Sequence, residues 1–137
     1  MGIESVRYLT YPEAVAEHIE LMRRLQEVRY GVFDRTLIES ALARPQQAIY
    51  EQADLPAQAA TLCFGLIKNH PWIGGNKRTT THLTDHFLKH NGLEIRATSA
   101  EVVGMVQAIE SDEWDVARLI KWMREHTIHY SQPSTAP

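Results

Sequence analysis

The sequence predicts an all-α domain, a compact bundle of about six helices with at most two short β-strands. Apolar residues recur at helical spacing through most of the chain, capping residues stand before several of those stretches, and strand-like alternation is confined to short runs. The chain has 137 residues, 44% of them hydrophobic, the length of one ordinary domain with enough apolar material for a core. One domain over 1–126 is expected, with 127–137 as a frayed C-terminal tail.

Thr10-Tyr11-Pro12-Glu13 has the pattern of a capping box with proline in the first turn, where a missing N–H costs nothing. The helix it opens, over 11–26, carries Val15, Ile19 and Met22 in one stripe beside Ala14, Leu21 and Leu25. Gly31 marks a break. Asp34 can cap a second helix through Leu37, Ile38, Ala41 and Leu42, which Pro45 is expected to stop, leaving 45–54 as loop. From Pro56 to Asn69 the chain is apolar nearly all round, the mark of a central buried helix. Another helix spans Asn76 to His90 and ends at Asn91-Gly92, residue types that tolerate the left-handed region. Leu93-Glu94-Ile95-Arg96 alternates like a short strand, with Val6 to Leu9 as its expected partner. Thr98 with Glu101 repeats the capping-box pattern before Val102, Val106 and Ile109, and Val116, Leu119, Ile120 and Met123 form a final amphipathic helix.

The net charge of −3 and a pI near 6.1, without a run of Lys or Arg, argue against direct nucleic-acid binding. No apolar stretch approaches the roughly 20 residues of a membrane span. A single cysteine, Cys63, and an N-terminus without an export pattern point to the cytoplasm.

The chemistry is concentrated in His70-Pro71-Trp72-Ile73-Gly74-Gly75-Asn76-Lys77-Arg78. Two glycines before a helix start bring backbone N–H groups close to a ligand, and the free N–H groups of a first turn attract anions. Lys77 and Arg78 oppose the helix dipole there, a conflict that a bound phosphate resolves. His70, on the other side of the loop, supplies an imidazole suited to act as general base on a hydroxyl. Each feature alone also has a plain structural reading, as a tight turn, a helix-end histidine and a solvated basic pair.

Taken as one string, His70-Pro71-Trp72-x-x-Gly75-Asn76-Lys77-Arg78 resembles the signature of the Fic/Doc family. Tyr8-Leu9-Thr10, the stretch from Asp34 to Pro45 and Asn91-Gly92-Leu93 resemble its death-on-curing branch, the toxins of toxin-antitoxin systems. The resemblance implies that His70 deprotonates a hydroxyl of a target protein and that Gly75, Asn76, Lys77 and Arg78 hold nucleotide phosphates. Lys77, where adenylylating members carry glycine, implies the Doc type, a kinase that transfers the terminal phosphate of ATP. Trp72 replaces the usual phenylalanine as the loop's anchor. The implied target is a translation factor such as elongation factor Tu, and the implied inhibitor a small antitoxin acting in trans, since no Ser/Thr-x-x-x-acid-Gly/Asn inhibitory string occurs.

Gly74 departs from the pattern. The family places Asp or Glu there to hold Mg²⁺ against the nucleotide phosphates, so the metal loses its protein carboxylate and turnover is expected to be weak or absent, with Gly74→Asp expected to restore it. Two other readings are a catalytically inactive module that binds nucleotide or antitoxin, and a protein adenylyltransferase. Outside the loop, His82, His86 and His90 rise one turn apart and do not converge as metal ligands, so a polar face is expected. Cys63 and Thr79-Thr80-Thr81 are read as packing or back-bonding residues.

Overall fold

The computed structural model describes residues 5–48 and 53–131, and shows six helices and two short antiparallel strands. Thr10 caps α1, Tyr11–Arg24, with both halves of the capping box formed. Its buried face is Ala14, His18 and Met22, four residues apart. Asp34 Oδ1 accepts from the N–H groups of Thr36 and Leu37 at 2.9 and 3.3 Å at the start of α2, Arg35–Ala48. Asp54 caps α3, Leu55–Asn69. After α4, Asn76–His90, come β1, Leu93–Ile95, α5, Ser99–Glu110, α6, Val116–Glu125, and β2, Thr127–His129.

α3 packs against α2, α4, α5 and α6, which explains its apolar circumference. Leu62 and Leu66 belong to one core with Ile38, Trp72, Leu83 and Phe87, whereas Cys63 and Ile67 belong to another with Met105, Ile109, Leu119 and Trp122. Full burial of each such side chain contributes about 1.5–3 kcal/mol. Gly65 lets α2 approach closely, because a Cβ there would meet the Arg44 side chain, whose Nε donates to the Thr61 carbonyl at 2.9 Å.

Three expectations need correction. α2 runs through Pro45 to Ala48, since the buried proline ring offsets the one backbone bond it removes; of the expected 45–54 loop, residues 49–52 lie outside the described residues. β1 pairs with β2 in the register Leu93↔His129 and Ile95↔Thr127, not with Val6–Leu9. The N-terminal segment is held instead by Asn91, whose side chain accepts from the Arg7 N–H at 2.8 Å and donates to the Arg7 carbonyl at 2.9 Å. The expected frayed tail therefore begins as a strand at Thr127–His129, while residues 132–137 lie outside the described residues. Among the described residues no helix is long and apolar enough to cross a membrane.

Candidate active site

The site lies where α3 turns into α4. His70 closes α3 in the left-handed region, φ 48° and ψ 54°, with its N–H donating to the Leu66 carbonyl at 3.2 Å. That conformation costs a non-glycine residue about 1–2 kcal/mol and leaves the imidazole exposed at the turn.

The following residues are clamped from two sides. The Pro71 carbonyl accepts from the N–H groups of Phe33 and Asp34 at 2.9 and 3.2 Å, and the Ile73 N–H donates to the Gly31 carbonyl at 2.9 Å. Across the loop, the Asn76 amide accepts from the Trp72 N–H at 3.0 Å and donates to the Trp72 carbonyl at 2.8 Å. Trp72 is 2% exposed and stacks on His18 with centroids 4.2 Å apart. Asn76 thus spends its side chain bracing the loop and has its backbone N–H to offer a ligand.

Gly75 starts α4 at φ 68°, and no side chain caps the helix. The first-turn N–H groups therefore remain open to an anion. A cavity of about 340 Å³ in front of them is lined by Glu27, His70, Ile73, Gly74, Gly75, Asn76, Lys77 and Arg78. The predicted base and the predicted phosphate ligands thus share one cavity. Lys77 also lies 3.4 Å from Glu110 of α5, an exposed pair of little energetic weight that leaves the lysine available.

Four contributions escape the sequence reading. Glu27 reaches the cavity from beyond α1. Its place is set by a Schellman ending in which Gln26 is left-handed at φ 58°, the Gln26 N–H donates to the Arg23 carbonyl, and the Glu27 N–H donates to the Met22 carbonyl at 2.9 Å. No pattern in the sequence announces it, since glutamine replaces the usual glycine at that turn. Arg29 contributes its carbonyl oxygen, packed so closely on Gly74 that a Cβ there would collide with it. Met22 lies under Gly75 in the same way. His18, 0% exposed, accepts the Gly31 N–H at Nε2, 3.0 Å, so its Nδ1 carries the proton and donates to Thr79 Oγ1 at 2.8 Å. A histidine between Ala14 and Met22 on a buried stripe is the signal that could have found it.

Position 74 does not fit the family's metal. It has no carboxylate, and the Arg29 backbone occupies the space into which one would be built. Glu27 is the acidic side chain lining the cavity. Mg²⁺ bound alongside nucleotide phosphates needs only one or two carboxylates, so the donor set remains adequate.

The histidine ladder is engaged with α1. His82 Nε2 lies 2.8 Å from Glu17 Oε2 and His86 Nε2 lies 3.6 Å from Glu17 Oε1, while the His90 ring packs on that of His86 at 4.0 Å. The described residues hold no group of three or more His, Cys, Asp or Glu arranged for a metal ion. Cys63 is buried, and burial pushes its thiol up to about 12, far from nucleophilic use near neutrality. Thr81 Oγ1 donates back to the Lys77 carbonyl at 3.1 Å.

The chain is 38% identical over 69 residues to Toxin Doc of Mycolicibacterium smegmatis, an alignment covering 48% of this chain and 53% of that toxin. The chain thus spans about half the length of the curated relative it matches. Residues 8–88, which include α1 to α3, the clamped loop and nearly all of α4, match the Fic/DOC family, and the chain belongs to that family.

Proposed function

We propose that this chain is a Doc-type toxin that transfers a phosphoryl group from ATP to a hydroxyl of a translation factor such as elongation factor Tu, arresting growth in the cytoplasm. The observation that carries this reading is the shared cavity: His70 on one wall, and the open first turn of α4 with Lys77 and Arg78 on the other.

The chemistry follows from that placement. The N–H groups at Gly75, Asn76 and Lys77 and the Arg78 guanidinium hold the phosphates. His70 takes the proton of the acceptor hydroxyl as its oxygen bonds to the terminal phosphorus, and the bond from that phosphorus to the bridging oxygen breaks, releasing ADP. Mg²⁺, when bound with the nucleotide, neutralises charge on the phosphates. Lys77 in the loop favours this outcome over adenylyl transfer by family resemblance.

A small antitoxin would bind nearby in trans. A second cavity, about 510 Å³, shares Lys77 and Arg78 with the first and has Val102, Val103 and Val106 of α5 along one wall. Apolar residues beside a basic rim suit an amphipathic acidic helix. The bare Gly74 favours a second reading, a module that binds nucleotide without transferring phosphate.

Titration with ATP tests the site that both readings need. Arg78→Ala is expected to weaken ATP binding about tenfold or more, the loss of one charge-assisted phosphate contact. Equal binding by the variant and the parent would remove the site.

A further inference from the structure

We infer that Glu27 replaces the acid missing from position 74 and holds the divalent cation that accompanies the nucleotide phosphates. The inference rests on the nucleotide-binding reading and adds to it a residue from another element.

Glu27 is the acidic member of the cavity that also contains His70, Lys77 and Arg78. Its backbone is fixed by the Schellman ending of α1, and among the described residues no ion pair engages its carboxylate. Lys77 and Arg78 line the same cavity without an ion pair to Glu27, and Lys77 lies 3.4 Å from Glu110. A carboxylate in the same cavity as bound phosphates would repel them, whereas a divalent cation between the two turns the repulsion into two attractions.

The same segment crowds the position from which the carboxylate is missing. Two residues beyond Glu27, the Arg29 carbonyl closes in above Gly74, where a Cβ would meet it unless the backbone moved. The chain between α1 and α2 thus crowds the family's metal position and brings a carboxylate to the same cavity. Because Glu27 is a single ligand, with the remaining coordination supplied by phosphate oxygens and water, the cation should bind together with nucleotide and not alone.

Calorimetric titration of the parent and Glu27→Gln with ATP, in Mg²⁺ or in EDTA, separates the possibilities. Expected is a rise in parent affinity of about tenfold with Mg²⁺, shrinking to within about twofold in Glu27→Gln, while metal-free ATP binding is unchanged or stronger. Mn²⁺ should give a bound electron paramagnetic resonance spectrum with the parent only when ATP is present, and Glu27→Ala should lose that spectrum. A Mg²⁺ increment undiminished in Glu27→Gln, or a parent indifferent to Mg²⁺, overturns the role of Glu27 and leaves the nucleotide site standing. A parent that binds no ATP in either condition overturns both.

Discussion

His18 joins three parts of the site through one buried ring. It accepts from the Gly31 N–H, donates to Thr79 on α4 and stacks on Trp72, so the strap over the loop, residues 27–34, and the first turn of α4 are registered against each other. Burial pulls its pKa down to about 4 from the ordinary 6.5. The folded protein therefore keeps the ring neutral where the unfolded chain would protonate it. The associated stability is present above 6.5 and is lost as pH falls toward 4. Urea unfolding should show about 2 kcal/mol less stability from this group at pH 5 than at pH 7. His18→Gln should remove that pH dependence and cost about 1–3 kcal/mol at pH 7, through its imperfectly replaced hydrogen bonds. An unchanged pH slope in the variant would contradict the assignment.

At the scale of elements, the helices were legible where local chemistry sets them. α4 runs from Asn76 to His90 as the glycine start and the Asn91-Gly92 stop predict, and both capping boxes form. Pro45 misled because local preference gave way to burial, and the strand partner misled because Asn91 satisfies the N-terminal segment without a second ladder. The candidate site was legible along its continuous string, His70 to Arg78, in that the structure gathers most of those residues at one cavity. The strap at 27–34 was not, since its place depends on contacts made across the fold. This changes the expectation for Gly74→Asp. A Cβ at 74 meets backbone, which must move, so the substitution should destabilise the protein by about 1–3 kcal/mol. It should also fail to raise toxicity on induction. A Gly74→Asp protein as stable as the parent and newly toxic would show that the strap yields freely.

On the scale of the whole molecule, α3 divides the interior into two cores, and the site sits at its C-terminal end. The first core, with Trp72 in it, anchors the loop and the strap; the second holds α5 against α3 and α6, and α5 supplies Glu110 and the valine wall of the larger cavity. All of α5 and α6 lie beyond the residues matching the family, yet α5 frames the candidate site from one side. His70 is exposed at the turn, so the proposed base would be accessible to a protein substrate. The most direct test is labelling of cell extract by the parent and by His70→Ala, with ATP labelled at the terminal or at the α-phosphate. Label from the terminal phosphate should be retained on an extract protein, and His70→Ala should lower it about a hundredfold or more, the usual weight of a general base. Retention of the α-label would mean adenylyl transfer, and a folded, ATP-binding parent that transfers neither label would contradict the phosphotransferase account.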